Sequence, residues 1–302
     1  MLQSQKKLLK EIWMLKNFKQ LSLIFLIATL FTACSVKEPI VVPKESDIVE
    51  LSKKANDDFI NQDKATNDYF TKYFKPWDST KVSYPKIEAM WGQSYKYKKV
   101  YLENHKLASA EWFDKQITNS NFDEYNVVPK KAIMLKNANV RVLPTNSPMF
   151  YDPTQPGEGF PFDYNQNSLI KINTPIIVSH LSKDKAWAYM ESSIVGGWVE
   201  INSIAFVDED FIKEFKNSNY YVSVKEKFPI YDPIFREYVK VATIFPKKEN
   251  QYIIAKKDDA QNAVITYINL NDDEVEAMPL AFNIQNRIKI AKIKMETAEL
   301  YP

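Results

Sequence analysis

Apolar residues recur at two different spacings along this chain, and the change of spacing divides it. Between residues 47 and 76 they recur every three to four positions, as at Ile48, Leu51, Ala55 and Phe59, which predicts helix. A second run of the same spacing, rich in aromatic residues, leads to Tyr73 and is expected to end at Pro76, because proline disfavours continuation of a helix. The sequence therefore predicts a mainly helical N-terminal part.

From about residue 130 the spacing becomes two, which is typical of strands. Val140 and Val142 alternate with polar neighbours, and a pair of glycines at 196–197 predicts a turn before the last arm of a hairpin. Short strands of this kind over residues 129–207 indicate a small β-barrel. Residues 208–278 have the same character, with a single helical turn predicted at 208–215 and a strand over 238–245. Residues 282–298 predict one amphipathic helix.

Aromatic residues are frequent between residues 85 and 127, where no single period dominates. Two interpretations stay open: these side chains form the core of the helical domain, or some of them form a flat surface on which sugar rings stack. The apolar residues concerned are Met90, Trp91, Tyr95, Tyr97, Tyr101, Leu107 and Trp112.

The amino terminus has the pattern of an export signal. Lys16 and Lys19 precede an apolar stretch of eleven residues at 21–31, which is too short for a membrane span of about 20 residues but suits a signal peptide. The stretch ends in Thr-Ala before Cys34, which resembles the lipobox of bacterial lipoproteins, although Phe31 stands where leucine is usual. We expect a signal peptide at 1–33, a lipid on Cys34 and a tether at 34–46.

Alternatives to this interpretation are a plain signal peptide or an anchor with an incidental cysteine. Met1 and Met14 are both candidate start residues. Three acyl chains on Cys34 would hold the protein firmly at a membrane. The expected location is the cell envelope, facing the periplasm from the outer or the inner membrane.

Charge and composition exclude several function classes. The chain has 40 basic and 38 acidic residues, of which residues 1–33 contain five lysines and one glutamate. Without that segment, 35 basic and 37 acidic residues remain, so the rest of the chain is not basic. Only three residues are arginine, the preferred bidentate phosphate ligand, and we expect no nucleic-acid partner. Five glycines form no phosphate-binding fingerprint. Since Cys34 is the only cysteine, an internal disulfide and a cysteine zinc site are excluded. We expect no cofactor.

Three blocks at and around the first barrel resemble a known family. They are Val-Arg-Val-Leu-Pro-Thr at 140–145, Pro-Gly-Glu-Gly-Phe-Pro-Phe-Asp-Tyr-Asn-Gln-Asn-Ser at 156–168, and Ser-Lys-Asp-Lys-Ala-Trp at 182–187 with Gly-Trp-Val at 197–199. They are similar to the first bacterial SH3 domain of the NlpC-type cell-wall cysteine peptidases. Residues 73–77 and 103–105 resemble that family's N-terminal stabilising domain, and residues 228–232 and 244–246 resemble its second SH3 domain.

The resemblance implies an α+β fold. It consists of a mainly helical N-terminal stabilising domain at 47–128, two small SH3-like β-barrels at 129–207 and 208–278, and a C-terminal helix within 279–302. In the family this helix leads to a catalytic domain whose cysteine lies in an Asp-Cys-Ser setting. No cysteine follows Cys34 here, and a papain-like mechanism needs a thiolate beside an imidazole. We therefore expect no catalytic residues in this chain.

Three functions stay open at this stage. The first is the membrane-anchored, non-catalytic targeting and substrate-cleft portion of a γ-D-glutamyl-diaminopimelate endopeptidase, truncated or split from its catalytic domain. The second is a stand-alone lipoprotein that binds peptidoglycan through its SH3 domains. The third is an unrelated enzyme. The expected partners are peptidoglycan stem peptides, a membrane through the lipid and, for the first function, a separately encoded catalytic domain.

The resemblance also implies where substrate would bind. In the family the bacterial SH3 domains pack on the catalytic domain and help to form its substrate cleft, and residues of the 156–168 block, which we name the signature loop, would face it. The alternative is that this loop serves packing alone. The expected substrate-binding residues are Asp163, Tyr164, Gln166 and Asn167, with Arg141 and Trp198 as neighbours.

Other chemistries have weaker support. His180 shares a strand face with Ile176 and Val178, so we expect a core or rim histidine, and His105 is expected to make a contact within the stabilising domain. Acidic residues at 208–210 and 272–274 fit helix starts and turns better than a metal site. We expect no metal.

Overall fold

The computed structural model describes residues 62–278. The part of the predicted 47–76 helical stretch before residue 62, the helix predicted at 282–298, the signal segment and Cys34 lie outside this range. Five α-helices occur in the described part: α1 Gln62–Tyr73, α2 Lys75–Asp78, α3 Lys86–Ala89, α4 Ala110–Asn119 and α5 Glu209–Lys216. Three 3₁₀ helices accompany them: Trp91–Tyr97, Phe122–Glu124 and Ile201–Ser203.

The aromatic face predicted near residue 70 is the buried side of α1 and α2. Tyr73, Phe74 and Trp77 are all buried, and the indole Nε1 of Trp77 donates to the carbonyl of Ala132, 2.8 Å away. The helix ends earlier than predicted. Pro76 lies in the first turn of α2, where its missing N–H has no helical partner to lose.

Seven antiparallel strands form the first barrel. They are β1 Lys130–Met134, β2 Ala138–Arg141, β3 Gln166–Ile170, β4 Pro175–Leu181, β5 Trp187–Glu191, β6 Gly196–Glu200 and β7 Ile204–Phe206. Their order in the sheet is β3-β2-β6-β5-β4-β1-β7. Long strands β4 and β5 are buried almost throughout, because the helical region covers the side that a free barrel would expose to water.

The glycine pair at 196–197 was predicted as a turn, and this prediction is wrong. Gly196 and Gly197 open strand β6. A Cβ on Gly197 would lie 2.7 Å from Val140 Cγ1 and 2.8 Å from the carbonyl oxygen of Arg141. Glycine is needed here because β6 closes onto β2 at the Arg141–Trp198 pair.

The second barrel follows α5 and contains two sheets. Its strands are β8 Asn219–Ser223, β9 Phe228–Tyr231, β10 Phe235–Val239, β11 Ile244–Lys248, β12 Gln251–Lys257, β13 Ala263–Ile268 and β14 Val275–Ala277. β9 and β10 form a separate hairpin, and the other five are ordered β13-β12-β11-β8-β14. The α+β prediction, with a helical region followed by SH3-like β structure, is confirmed.

One element boundary in this part was predicted wrongly, and one helix, predicted within one residue of its observed position, is longer than a single turn. Residues 238–245 are the end of β10 and the start of β11, separated by a turn in which Ala242 has φ 63°. The predicted single helical turn is the eight-residue helix α5, and Asp208 caps it by accepting from Phe211 N at 2.8 Å. Uniform apolar content hid the boundary within 238–245, since a short tight turn need not contain glycine.

Asn173 joins the helical region and both barrels. It is fully buried in the turn before β4, and its backbone carbonyl accepts from the hydroxyl of Tyr73 at 2.9 Å. Its Nδ2 donates to the carbonyls of Ile244 and Ile253 in the second barrel. Ile172, beside it, lies in the core of the second barrel. The two barrels are therefore packed directly against each other through Ile172 and Asn173 and are not joined only by a flexible linker.

Candidate functional site

The signature loop is organised by the side chain of Arg141. This guanidinium is buried, and its Nη1 donates to Asp163 Oδ2 and to Gln166 Oε1, each at 2.8 Å. Its remaining nitrogens donate to three backbone carbonyls at residues 145–147, at 3.1 to 3.2 Å. The donors of Arg141 are thus occupied within the protein, so its role in this structure is to position the loop.

Two further side chains complete the interior of the loop. Asp163 Oδ1 accepts from the backbone nitrogens of Met149 and Asn165, at 2.9 and 2.8 Å. Asn165 is fully buried, and its Oδ1 accepts from Leu143 N at 2.8 Å. Asp163 therefore points inward as Arg141 does. Sequence reasoning missed Asn165, and a polar residue between two expected site residues was the only signal available.

Tyr164 lies at the edge of the loop. Its ring centroid is 4.2 Å from that of Tyr151, and its hydroxyl donates to Glu158 Oε2 at 3.1 Å. Burial, followed by the hydrogen bond to Glu158, raises the pKa of Tyr164 above its ordinary value of 10.0. The hydroxyl therefore stays protonated at neutral pH and acts as a donor.

Gln166 and Asn167 begin strand β3 and point in different directions. Gln166 accepts from Arg141, and its Nε2 donates to Asn139 Oδ1 at 3.2 Å. Asn167 is exposed; its Nδ2 donates to the carbonyl of Gly196 at 3.0 Å, and no donor among residues 62–278 reaches its Oδ1. Of the six expected residues, Asn167 is the one with an exposed side chain.

Trp198 is buried and lies in an aromatic cluster that joins the helical region to the first barrel. Its ring contacts Phe122, His180 and Tyr189, with centroids 5.3 to 5.9 Å apart. The structure thus brings Arg141, Asp163 and Gln166 together inside the loop, leaves Tyr164 at its edge, and places Trp198, the β6 partner of Arg141, in the aromatic cluster instead. Only Asn167 of the set lines a groove.

This groove lies where the helical region meets the first barrel, and we name it the interdomain groove. Its volume is about 450 Å³, and the residues that line it are Tyr84, Glu88, Ala89, Trp91, Asn167, Tyr189, Ile194, Val195 and Gly196. The side chain of Trp91 is 47% exposed. An exposed indole beside carboxylate and amide groups can stack on a sugar ring while its neighbours hydrogen-bond a peptide.

Glu191 holds one edge of the interdomain groove in place. Its carboxylate is buried in the first barrel and accepts from the backbone nitrogens of Ser83 and Tyr84 and from the Ser83 hydroxyl. A carboxylate with several donors can satisfy otherwise unpaired backbone groups at low cost. The segment that carries Tyr84 is thereby attached to β5. No local pattern singled out Glu191, because its partners are 107 and 108 residues away.

The aromatic residues of 85–127 divide between the two interpretations. Tyr95 is buried, as the core interpretation requires, whereas Trp91 and Tyr97 are 47% and 87% exposed. All three residues belong to the 3₁₀ helix Trp91–Tyr97. A turn of three residues places Trp91 and Tyr97 on one face of this helix and Tyr95 on another, so the exposed and the buried rings are separated by their position along it.

Neither histidine has the partners of a catalytic base. His180 is buried, with Nε2 2.9 Å from the carbonyl of Ser120 and Nδ1 3.1 Å from Ser179 Oγ, so the prediction of a satisfied core histidine is confirmed. The predicted face is wrong, because a bulge after Val178 turns the His180 ring away from the barrel core and towards Tyr189. Burial lowers the pKa of His180 below its ordinary value of 6.5. His105 is exposed in a turn, with φ 59°.

The acidic clusters also have local roles. Asp208 caps α5, and Glu274 Oε2 accepts from Asn271 N at 2.8 Å. Within residues 62–278 no group of three or more histidine, cysteine, aspartate or glutamate side chains is arranged to hold a metal ion. No helix in that range combines the length and the hydropathy of a membrane span.

Comparisons with known proteins agree with this architecture. Residues 23–125 match the family model of the NLPC_P60 stabilising domain, N term, and residues 148–200 match that of the SH3 domain (SH3b1 type). Among solved structures the chain is similar to an NlpC/P60 endopeptidase from Photobacterium damselae subsp. piscicida, with 26% identity and a TM-score of 0.69. Comparison with the curated proteins gives no match.

The match to that endopeptidase covers 76% of this chain and 55% of the other. The chain therefore spans about half of the endopeptidase that it matches. The predicted resemblance is confirmed for an NlpC/P60-type N-terminal stabilising domain and an SH3 domain. Domains of these types are cell-wall-associated, which indicates an envelope or extracellular location.

Proposed function

We propose that this chain, which carries an NlpC/P60-type stabilising domain and an SH3 domain, is the non-catalytic substrate-binding portion of a peptidoglycan endopeptidase of the γ-D-glutamyl-diaminopimelate type. The observation that carries the proposal is the interdomain groove, in which Trp91 of the helical region faces the same space as Asn167 of the first barrel. The domain boundaries at residues 128 and 207 remain part of the proposal.

The chemistry of peptidoglycan suits this groove. Its sugar rings offer flat apolar faces, for which indole and phenol rings such as Trp91 and Tyr84 are good partners. Its stem peptide offers amides and carboxylates, which Asn167 can bind as donor or acceptor, and amines, from which the Glu88 carboxylate can accept. Arg141 and Asp163 contribute by fixing the loop that positions Asn167.

Chemistry at the peptide bond is proposed to reside outside residues 1–302. Cys34 is the only cysteine among them, and a lipidated cysteine has no free thiolate to attack a carbonyl. The proposal expects the DNA after codon 302, in the same or another frame, to encode Trp-Gly-Gly followed by Asp-Cys-Ser, or a partner chain to supply that segment. Unrelated downstream sequence, together with no such partner, would favour a stand-alone peptidoglycan-binding lipoprotein.

Membrane attachment is proposed to occur through Cys34, after removal of residues 1–33. Cells grown with labelled palmitate should incorporate label into the chain, and Cys34→Ser should abolish the incorporation. Equal labelling of the two forms would contradict a lipid on Cys34.

Binding can be tested by co-sedimentation of the purified chain with insoluble peptidoglycan. Trp91→Ala should lower retention about twofold to tenfold, because stacking on an aromatic ring contributes about 0.5–1.5 kcal/mol and a loss of about 1.4 kcal/mol is tenfold in affinity. Tyr97→Ala is the matched control, because it removes a more exposed aromatic ring from the same 3₁₀ helix but outside the groove. Equal losses in both variants, or no retention of the unaltered chain at low salt, would overturn the proposal.

A further inference from the structure

The β9–β10 hairpin of the second barrel presents a row of large apolar side chains to solvent. Tyr231, Ile234, Phe235 and Tyr238 are 57%, 76%, 47% and 52% exposed, and we name them the hairpin ridge. The rings of Phe235 and Tyr238 are 4.9 Å apart, and those of Tyr231 and Phe235 are 6.1 Å apart. Single exposed apolar residues are ordinary, but a contiguous group of this kind marks a binding surface.

The exposure of the ridge does not come from a loosely held loop. Asn137, in the turn between β1 and β2, donates from its backbone nitrogen to Glu237 Oε2 at 3.1 Å and from Nδ2 to the Tyr238 carbonyl at 2.8 Å. On the opposite face of the hairpin, Phe228, Ile230 and Val239 are buried in the second core. The hairpin is therefore fixed to both barrels while its aromatic face stays outside.

A cationic groove of about 420 Å³ lies directly beside the ridge. Its lining combines Leu135, Lys136 and Asn202 of the first barrel with Asp232, Ile234, Phe235, Arg236, Lys256 and Lys257 of the second. Two ridge residues, Ile234 and Phe235, are thus also walls of the groove. The ridge and the groove form one continuous surface at the junction of the two barrels.

Positive charge exceeds negative charge in this groove. Among its lining residues Asp232 is the one carboxylate, and it is already paired with Arg236 at 3.1 Å and with Lys256 at 2.7 Å. Lys257 is exposed and hydrogen-bonds the neutral side chain of Gln261, at 3.3 Å. Lys136 lies 3.9 Å from Glu200, which is too long for a strong pair. Four cations, against Asp232 within the groove and Glu200 beside it, leave a net positive charge that favours an anionic occupant.

The charge also decides among possible occupants. Residues 279–302 of the chain itself carry four basic residues, Arg287, Lys289, Lys292 and Lys294, against two glutamates, so this segment would be repelled. A second copy that used the same surface would place cation against cation. A ligand with carboxylates and with apolar or ring-shaped parts fits both the groove and the ridge.

We propose that the hairpin ridge and its cationic groove are a second binding site, on the second barrel, for the carboxylate-bearing stem peptide of peptidoglycan. This inference rests on the proposed function for the choice of polymer. The carboxylates of the stem contact Lys257 and Lys136, and the remainder of the ligand packs on Phe235. Because both sites belong to one chain, a polymer that engages them together is retained more firmly than a monomeric fragment.

NMR titration of the purified chain with a soluble disaccharide tetrapeptide tests the two sites separately. Shift changes at the amides of Phe235 and Lys257, in addition to those of Asn167, are the expected result. Changes at Asn167 alone would overturn the second site and leave the proposed function standing. Changes at Phe235 and Lys257 alone would support the second site and contradict the interdomain groove. Changes at neither would overturn both.

Charge reversal gives the second arm of the test. Lys257→Glu should lower retention on insoluble peptidoglycan about threefold to tenfold, by loss of one of two linked contacts. Lys225→Glu is the matched control, because it reverses a surface lysine of the same barrel outside the groove. Equal effects of the two variants would overturn the site. So would equally tight binding of poly-L-glutamate at the same residues, which would indicate attraction of any polyanion.

Discussion

The two barrels use an arginine–aspartate pair in opposite ways. In the first barrel Arg141 is buried, and its donors reach Asp163, Gln166 and three backbone carbonyls. In the second, Arg236 donates to Asp232 and to the carbonyl of Ala255, and Lys256 also contacts Asp232. The Arg141–Asp163 pair fills the interior of the signature loop with satisfied hydrogen bonds. The Arg236–Asp232 pair, together with Lys256, lines a surface groove that is rich in positive charge.

This contrast shows where a binding surface can arise in each barrel. A loop whose charged groups are saturated internally offers a ligand only its outer residues, as the first barrel offers Asn167. A short hairpin has no interior of its own, so its large side chains stay outside, as at Phe235 and Tyr238. We therefore expect substitutions of the first arginine to act on folding, and substitutions around the second hairpin to act on binding.

Arg141→Met is expected to change stability the most. This change leaves Asp163 without its cation and three carbonyls without donors in a buried loop, so it should lower the free energy of unfolding by about 3–5 kcal/mol. Urea or guanidinium denaturation followed by tryptophan fluorescence measures it.

Arg236→Met is the matched variant in the second barrel. Lys256 still compensates Asp232 there, so we expect a loss of about 1–2 kcal/mol, in the range of one or two hydrogen bonds. Equal losses in the two variants would contradict the distinction between the barrels.

A loss of intermediate size is expected from Gly197→Ala. The added Cβ would meet Val140 Cγ1 and the Arg141 carbonyl at 2.7 and 2.8 Å, and crowding of this kind costs about 1–3 kcal/mol. The second barrel contains no glycine, so it offers no equivalent position for this substitution.

Gly157→Ala is the control for Gly197→Ala. Gly157 has φ 82°, and a Cβ added there would have no other atom within 4 Å, so its substitution tests backbone strain alone, about 1 kcal/mol. Thermal unfolding of the two variants separates the causes, and a larger loss at Gly157 would contradict the close approach of β6 to β2.

The weakest effect that we expect is a dependence of stability on pH that belongs to His180. Its folded-state pKa lies below the ordinary 6.5 because burial disfavours the charged ring, with a further contribution from Lys86. The unfolded chain thus binds the proton more readily, and stability that is fully present above pH 6.5 is lost as the pH falls through the folded pKa. The Tm should therefore fall as the pH is lowered from about 7.5 to about 5.

Substitution of each histidine tests this assignment. His180→Gln should flatten the fall in Tm relative to the unaltered chain, because the titrating group is gone. His105→Asn should leave the fall intact, since His105 is exposed and asparagine tolerates its positive φ. An unchanged fall in His180→Gln would assign the pH dependence to another group.

Much of the fold could be predicted from local pattern. The spacing around Tyr73 and Phe74 predicted helix, and the alternation at Val140, Ile176 and Val178 predicted strands, because burial on one face imposes the period of the element on the sequence. Boundaries were less predictable. Residues 238–245 resembled one strand, since the turn at Ala242 contains no glycine or proline signal. The glycines at 196–197 resembled a turn, although Gly197 is required by the close approach of strand β2.

The candidate site was predictable in part. The signature loop stood out in the sequence, but the orientation of its residues did not: Asp163 and Asn167 are both polar, yet one points to Arg141 and the other to the interdomain groove. Tyr84 and Glu191 were not selected, because their partners are distant in the chain. The hairpin ridge was not visible either, since exposed and buried aromatic residues look alike in a sequence.

Local sequence was sufficient for the element types, the order of a helical region and two barrels, the resemblance carried by residues 140–199, and the limits set by a single cysteine and five glycines. These follow from periodicity and from residue counts. Only the folded chain shows which polar groups are satisfied by hydrogen bonds inside the protein and which remain exposed to a ligand. The reason is that hydrogen-bond donors and acceptors far apart in the sequence meet in the fold, as Ser83 and Glu191 do across 108 residues. Burial, too, depends on how the assembled barrels pack.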